Sequence, residues 1–293
     1  MKILFAGLGA MGGPMAGHLI TAGHTVVGYN RSFGRAQTWS EKYAAPVFEA
    51  FEDAVSGVDV LALCVGNDDD VRNLVLRALE IMPSGSLIID HTTTSAHLAR
   101  EMASTAAGKG IDFVDAPVSG GQAGAENGQL SVMAGGTEAA YARASEVFKS
   151  YARAMIRIGE AGAGQTAKMA NQIALAGTVA AVAEALHFTK SAGLDDGLVF
   201  EAISKGAAGS WQMENRWKTM SAGEYDFGFA VEWIRKDLGI ALDESRRNGA
   251  NLPMTALIDQ FYSEVTAMGG RRWDTSSLHS RLEDLRRRQM ART

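Results

Sequence analysis

Lys168 is the residue whose type and surroundings most directly suggest proton chemistry. It lies in Gly162-Ala-Gly-Gln-Thr-Ala-Lys-Met-Ala-Asn-Gln172, and Lys168, Asn171 and Gln172 share one helix face because they are spaced i, i+3 and i+4. Burying an ammonium group among alanine and methionine is costly and lowers its pKa, which suits a general acid or base. The alternative is an exposed lysine whose apolar stem lies along the helix surface, and this segment alone does not separate the two.

A second candidate site is the turn Ser119-Gly120-Gly121. It follows the strand-like run Phe113-Val-Asp-Ala-Pro117, and ligands bind beyond the carboxyl ends of strands in open α/β sheets. A hydroxyl group and exposed backbone N–H groups together form a concavity suited to a carboxylate. An ordinary turn between two elements is the alternative.

The chain begins with a pattern typical of a dinucleotide site. An apolar run to Ala6 leads into Gly7-Leu8-Gly9-Ala10-Met11-Gly12, and a helical pattern follows at once. In this motif the first glycine permits a tight turn, the second admits a pyrophosphate, and the third lets helix pack on strand. The phosphates then bind free N–H groups at the helix N-terminus.

The residues after the second predicted strand bear on which nicotinamide cofactor binds. That strand ends in Tyr29-Asn30-Arg31-Ser32 and lacks the acidic residue that would bind the ribose hydroxyls of NAD. Asn30 and Ser32 are neutral, and the planar guanidinium of Arg31 suits a 2′-phosphate. We therefore predict NADP rather than NAD, with a surface role for Arg31 as the alternative.

Two hydrophobic periodicities alternate up to about residue 159, and they predict a parallel sheet with helices on both faces. The predicted strands are Ile3–Ala6, Thr25–Tyr29, Val58–Val65, Ser86–Asp90, Asp112–Asp115, Leu130–Ala134 and Met155–Ile158. The predicted helices between them are Met11–Ala22, Arg35–Tyr43, Asp69–Ile81, Ser95–Ala107 and Glu138–Phe148. The short link at Gly120–Gly128 suggests that the last strands form a hairpin-like or mixed edge.

Beyond residue 159 only helical patterns occur, beginning with a long alanine-rich segment at Gly164–Lys190. The others are Leu198–Lys205, Met213–Met220, Val231–Arg247 and Met254–Met268. We predict an α/β fold with a Rossmann doubly wound sheet at residues 1–160. An all-α domain for substrate binding and dimerisation would follow at residues 161–293.

Bulk properties narrow the possible partners and the compartment. The 293 residues carry a net charge of −5, which gives no reason to expect a nucleic acid or an anionic membrane. The single cysteine, Cys64, lies in an apolar run and suggests a buried structural thiol in a reducing cytoplasm. The apolar stretch Ile173–Leu186 is interpreted as too short to span a bilayer. His91, His97 and the other four histidines lack metal-ligand spacing, so no metal is expected.

Four segments, in order along nearly the whole chain, resemble the β-hydroxyacid dehydrogenase family, which includes 3-hydroxyisobutyrate dehydrogenase and tartronate semialdehyde reductase. They are the glycine motif at Gly7–Ala16, Asp-Ala-Pro-Val-Ser-Gly-Gly at Asp115–Gly121, the segment at Gly162–Asn171, and Lys-Asp-Leu at Lys236–Leu238. The Asn-Arg-Ser ending of the second strand is similar to that of NADP-preferring members.

The resemblance implies roles for individual residues. Lys168 would be the catalytic acid/base, Ser119, Gly120 and Gly121 would hold a carboxylate, and Asn171 and Gln172 would orient the substrate. Further cofactor contacts would come from Cys64, Val65, Thr93 and Lys236. This chain has Gln172 where many members have a second asparagine, and Val65 where a Leu-Pro pair is usual. The resemblance therefore does not identify the substrate.

The expected reaction is NADP(H)-dependent interconversion of a short β-hydroxyacid and its semialdehyde. Candidate substrates are of the 3-hydroxyisobutyrate, tartronate semialdehyde or succinic semialdehyde/glyoxylate type. An imine reductase shares this fold, but those enzymes usually lack the lysine. A non-catalytic NADPH-sensing protein is the other alternative, although it has no need of Lys168 or the Ser-Gly-Gly turn. A homodimer or homotetramer is expected.

Overall fold

The computed structural model describes residues 1–291 and divides into two compact units, Met1–Lys168 and Met169–Thr293. The division falls inside a long helix, a few residues after the predicted boundary at residue 160. We call the first the sheet unit and the second the helical unit.

Strands and helices alternate through the sheet unit, as the two periodicities predict. The strands are β1 (Lys2–Ala6), β2 (Thr25–Tyr29), β3 (Val60–Leu63), β4 (Leu87–Asp90), β5 (Asp112–Asp115), β6 (Val118–Ser119), β7 (Leu130–Gly135) and β8 (Ala152–Gly159). The helices are α1 (Gly12–Thr21), α2 (Phe33–Tyr43), α3 (Phe51–Val55), α4 (Asp68–Leu79), α5 (Ala96–Ala107), α6 (Gly121–Glu126) and α7 (Glu138–Phe148). A long helix, α8 (Ala163–Ser191), begins in this unit.

The strand order is β2-β1-β3-β4-β5-β7-β6, with β8 paired to β7. Strands β1 to β5 pair in parallel, whereas β7 runs antiparallel to β5 and β6, which confirms the predicted mixed edge. An isolated parallel bridge joins Gly28 to Val47 beyond β2. With that bridge counted as a short third strand, the six parallel strands up to β5 take the 3-2-1-4-5-6 order of a Rossmann sheet, and β7, β6 and β8 extend it.

Both faces of the sheet are covered because side chains alternate along each strand. On β1, Ile3 and Phe5 join the core beneath α1, whereas Leu4 packs with α4 in the core on the opposite face. The apolar runs of the central strands β1, β3 and β4 are therefore buried on both sides, and this confirms the doubly wound prediction. Strand β8 differs, because its Ile156 and Ile158 are exposed.

The helical unit continues α8 and adds four helices in the predicted places and a fifth, the last, that was not predicted. They are α9 (Asp196–Ile203), α10 (Trp211–Ala222), α11 (Val231–Asn248), α12 (Pro253–Ala267) and α13 (Leu278–Met290), with short 3-10 turns at Gly270–Arg272 and Thr275–Ser277. Its core joins Val179 and Leu186 of α8 to Trp217, Ile234 and Tyr262 of the other helices. Within residues 169–291 the only strand-like pairing is one isolated bridge, so the all-α prediction is confirmed.

Helix α8 lies where the sequence analysis predicted a long helix, and it extends well beyond the apolar stretch Ile173–Leu186. The helix has 29 residues and contains an 18-residue window with a mean hydropathy of 1.3, so it is long and apolar enough to cross a bilayer by length and composition alone. The judgement that Ile173–Leu186 is too short is therefore wrong, because the helix extends past both ends of that stretch. Buried residues such as Ala176, Val182 and Ala183 place one side of α8 in the core of the helical unit.

Candidate active site

The glycine turn between β1 and α1 has the geometry that its sequence predicts. A Cβ on Gly7, which has φ +101°, would collide with the carbonyl oxygen of Cys64, and one on Gly12 would collide with the carbonyl oxygen of Gly7. Gly9 differs, since no atom lies within 4 Å of the position where its Cβ would stand. The first and third glycines thus close the turn, and the exposed second glycine leaves open space of the kind a pyrophosphate needs.

Polar side chains after β2 support this turn. The Oδ1 atom of Asn30 accepts a hydrogen bond from the backbone N–H of Leu8 at 3.1 Å, and its Nδ2 donates to the carbonyl of Ser32 at 3.0 Å. Both ends of the amide are therefore used within the protein. The side chain of Arg31 is 86% exposed, and its Nη1 lies 3.0 Å from Oδ1 of Asp70.

The other predicted cofactor residues of the sheet unit follow β1, β3 and β4. Ala10 is exposed, Met11 is half-buried, and the partly buried Cys64 and Val65 follow β3. The backbone N–H of Val65 donates to Oγ1 of Thr92 at 3.0 Å, which ties this segment to the loop containing the half-buried Thr93. Because β1 to β4 are parallel, these segments all lie at one edge of the sheet.

The start of α8 is bonded to β5 and to the loop after β4. Asp115 accepts hydrogen bonds from the backbone N–H groups of Gly162, at 2.8 Å, and Gln165, at 2.9 Å. The fully buried amide of Gln165 then donates to the carbonyl of Thr92 at 2.7 Å and accepts from the N–H of Thr94 at 3.0 Å. The sequence analysis gave Asp115 and Gln165 no role, although both lie inside its quoted motifs.

Burial alters the acidity of several groups near this edge. It raises the pKa of Asp90 and of Asp115 to about 7, even though hydrogen bonds to these carboxyls act in the opposite direction. Burial also lowers the pKa of His91 to about 4. The imidazole of His91 is thus neutral at pH 7, with Nδ1 2.7 Å from the carbonyl of Ala116 and Nε2 2.8 Å from the hydroxyl of Tyr151.

The Ser119-Gly120-Gly121 turn joins β6 to α6 in the left-handed region of backbone space. Gly120 has φ +135° and Gly121 has φ +63°, conformations that a side chain disfavours. Ser119 is half-buried, both glycines are exposed, and nothing lies within 4 Å of a Cβ on Gly121. The turn therefore presents backbone to solvent, as a carboxylate site requires.

Lys168 is 7% exposed and lies near the start of α8. Its burial excludes the exposed-face interpretation that the sequence left open.

A polar network in the helical unit contains the remaining predicted residues. The Nδ2 atom of Asn171 donates to Oε1 of Gln172 at 2.7 Å, and Nε2 of Gln172 donates to Oδ2 of the buried Asp237 at 2.6 Å. The Nζ atom of Lys236 lies 3.2 Å from the other carboxylate oxygen, Oδ1. Gln172 is thus bonded at both ends of its amide, and Asp237, which sequence reasoning missed, links it to Lys236.

A doubly wound sheet whose glycine turn leaves room for a pyrophosphate is the architecture of a dinucleotide-binding domain. Residues 2–159 match the family described as the NAD binding domain of 6-phosphogluconate dehydrogenase. Residues 162–282 match a second family, which is described as the NAD-binding domain of NADP-dependent 3-hydroxyisobutyrate dehydrogenase. The chain belongs to the β-hydroxyacid dehydrogenase family.

Individual relatives agree with this assignment. An uncharacterized oxidoreductase of Shewanella frigidimarina is 57% identical over 97% of this chain and 99% of its own length. A probable 3-hydroxyisobutyrate dehydrogenase-like protein of Arabidopsis thaliana is 40% identical over 97% of this chain and 86% of its own. The structure of Mycobacterium tuberculosis 3-hydroxyisobutyrate dehydrogenase with L-serine superposes with a TM-score of 0.87, at 31% identity over 97% of this chain and 99% of that one.

Proposed function

We propose that the protein is an NADP(H)-dependent enzyme that interconverts a short β-hydroxyacid and its semialdehyde. The observation that carries this proposal is the anchoring of two features to one strand. Asp115 of β5 holds the first turn of the helix that contains the buried Lys168, and the Ser119-Gly120-Gly121 turn follows the same strand. The residues proposed as proton donor and as carboxylate site are thus both attached to one strand of the sheet unit.

The roles of the residues follow from their chemistry. A bound nicotinamide supplies hydride transfer between its ring and the carbonyl carbon of the substrate. Backbone N–H groups of the Ser119-Gly120-Gly121 turn bind the substrate carboxylate and so orient the carbonyl. Lys168, as ammonium, stabilises the alkoxide that develops in the reductive direction and donates the proton, and it accepts that proton in the oxidative direction.

The preference for NADP rests on Arg31. Its guanidinium is exposed beside the residues that shape the glycine turn, and no acidic residue stands at the end of β2 to bind an unmodified ribose. The ion pair with Asp70 places a carboxylate in competition with the 2′-phosphate. We infer that NADPH binds more tightly than NADH.

A homodimer or homotetramer is proposed because the helical unit exposes large apolar side chains. Phe188, Leu194 and Leu198 are 71%, 55% and 66% exposed. Light scattering that gave a monomer mass across the micromolar range would contradict this.

Initial rates with a panel of substrates test the proposal. The panel contains short aldehyde acids of the three candidate types, uncharged aldehydes and a cyclic imine, each followed by NADPH absorbance. Turnover of an aldehyde acid supports the proposal. Turnover of the imine alone points to an imine reductase, and tight NADPH binding with no turnover points to a sensing protein.

A further inference from the structure

Two histidines and a glutamate converge in the helical unit, and none of them belongs to the candidate active site described above. Glu283 lies one helical turn after His279 on α13, and His187 of α8 meets both. The ligand atoms of the three side chains all lie within 4.8 Å of one another. The spacing i, i+4 on α13 was visible in the sequence, but the third residue is 92 positions away from His279 along the chain.

The distances between the ligand atoms of the cluster lie on either side of the distance expected in a tetrahedral metal site. Tetrahedral zinc bonded to imidazole nitrogen and carboxylate oxygen at about 2.0–2.2 Å separates its ligand atoms by roughly 3.3 Å. Here Nδ1 of His187 lies 2.8 Å from Oε1 of Glu283, and Nε2 of His279 lies 3.7 Å from the same oxygen. Shifts of about half an ångström would bring both distances to the tetrahedral value.

The hydrogen bonding of His279 independently points to a ligand. Its side chain is 2% exposed, and Nε2 has no hydrogen-bond partner among the described residues. The other ring nitrogen, Nδ1, lies 3.3 Å from the hydroxyl of Tyr225, which is also 3.3 Å from the carbonyl of Met220. If Nδ1–H donates to Tyr225 and Tyr225 donates to Met220, the lone pair of Nε2 is left to face the cluster, as in metal-ligating histidines whose second nitrogen is held by an outer partner.

The cluster is accessible, and its charges are mixed. His279 and Glu283 line a cavity of about 830 Å³, and Lys190 and Arg287 line it as well. Three protein ligands leave a fourth tetrahedral position for water or a small anion. The ammonium of Lys190, which donates to the carbonyl of Ser221 at 2.7 Å, opposes a bound cation.

We propose that His187, His279 and Glu283 form a binding site for one divalent cation of the zinc class in the helical unit. This goes beyond the reaction proposed above and revises the expectation that the chain binds no metal. The two imidazoles and one carboxylate match the nitrogen and oxygen donors that such cations prefer.

Titration of the untagged, chelator-treated protein with Co²⁺ tests the proposal. One equivalent per chain is expected, with the visible bands of a tetrahedral site, and Zn²⁺ should displace it. His187→Gln and Glu283→Gln, which change partly exposed side chains, should each weaken binding by at least about 100-fold. Tyr225→Phe should weaken it by about tenfold, as loss of an outer partner does.

Two further variants serve as controls, and circular dichroism verifies the fold of all of them. His97→Gln removes an exposed histidine of the sheet unit and should leave the affinity unchanged. Lys190→Gln should tighten binding several-fold, since it removes the opposing charge. Absence of saturable binding at one equivalent, unchanged affinity in His187→Gln and Glu283→Gln, or a thiolate charge-transfer band indicating Cys64 would each overturn the proposal.

Discussion

The sheet unit and the helical unit position their polar groups in different ways, and their buried histidines show it. In the sheet unit, both nitrogens of His91 are occupied, by Ala116 and by Tyr151. In the helical unit, Nε2 of His279 has no hydrogen-bond partner among the described residues. Both nitrogens of a saturated buried imidazole are accounted for by the fold, whereas a half-saturated one calls for a further partner such as a water molecule or an ion.

The difference extends to how function is encoded. The sheet unit places its candidate residues after consecutive parallel strands, so short local motifs identify them. The helical unit joins side chains from distant helices, as Gln172 does with Asp237. Local backbone motifs can be predicted from a single sequence, whereas contacts between helices that are distant along the chain cannot.

The largest effect is expected from Lys168→Ala. Loss of the acid/base should lower kcat by about 1,000-fold or more, in line with the contribution of a positioned proton donor. NADPH affinity should stay within a few-fold, because the glycine turn is untouched. Steady-state kinetics and NADPH fluorescence titration measure the two quantities, and near-normal turnover would remove Lys168 from its role.

A pair of glycine variants distinguishes a position needed for cofactor binding from a position needed for stability. Gly9→Ala places a methyl group where no protein atom lies, so the melting temperature should be unchanged while NADPH affinity falls by about 100-fold. Gly12→Ala puts a methyl group against the carbonyl of Gly7 and should lower the unfolding free energy by about 1–3 kcal/mol. Equal effects of both variants on stability would contradict this division.

The pH dependence of stability tests the buried imidazole of the sheet unit. Burial lowers the pKa of His91 to about 4 in the folded protein. As the pH falls, His91 of the unfolded chain is therefore protonated near pH 6.5, whereas His91 of the folded protein is protonated only near pH 4. Stability from this group is therefore present above pH 6.5 and falls by about 3 kcal/mol as pH drops to 4, at 1.36 kcal/mol per unit.

Denaturant unfolding of wild type and His91→Gln at pH 7 and pH 4.5 measures this effect. The difference in unfolding free energy between the two proteins should shrink at the lower pH. A constant difference would mean that His91 is not the titrating group. Asp90 and Asp115, whose raised pKa values give the opposite slope, are common to both proteins and cancel.

In the helical unit, Asp237→Asn tests a positioning role. Its carboxylate accepts from Gln172 and pairs with Lys236, so the change should lower kcat/KM by about 30-fold. Thermal unfolding and NADPH affinity serve as the comparison, because a merely structural role would move the melting temperature and leave kcat/KM of the folded enzyme unchanged.

The smallest effect is expected at Arg31. Arg31→Gln should weaken NADPH binding by about tenfold, since the lost contact is charge-assisted but solvent-exposed. NADH binding should not change. Arg246→Gln is a matched control, because Arg246 is an exposed arginine paired with Asp243 in the helical unit. Parallel losses for NADPH and NADH would contradict a 2′-phosphate contact.

Much of the fold could be predicted because buried strands and amphipathic helices leave periodic patterns. Strand β5 and helix α7 lie at the predicted residues. Strand β8 is twice its predicted length, because exposed residues such as Arg153 break its apolar pattern. Strand β6 and helices α3, α6 and α13 were missed. Strand β6 has two residues, α3 is a single turn, α6 lies in a glycine-rich link, and α13 is rich in charged residues and buries only Leu278 and His279.

The candidate site divides in the same way. The glycines and the Ser119–Gly121 turn were predictable, because backbone conformation selects glycine. The bonds of Gln165 to the loop after β4, and of Asp237 to Gln172, were not, because they join residues about 65 or more positions apart. No periodicity records such pairs.

The most direct test of the proposed function is a comparison of two substrates in the wild-type enzyme. The values of kcat/KM with NADPH are measured for a short aldehyde acid and for the aldehyde of equal length without the carboxylate. We predict a preference of at least about 100-fold for the acid. The aldehyde without the carboxylate would leave the backbone N–H groups of the Ser119-Gly120-Gly121 turn without a hydrogen-bond partner. Equal values, or turnover confined to an uncharged imine, would contradict this prediction.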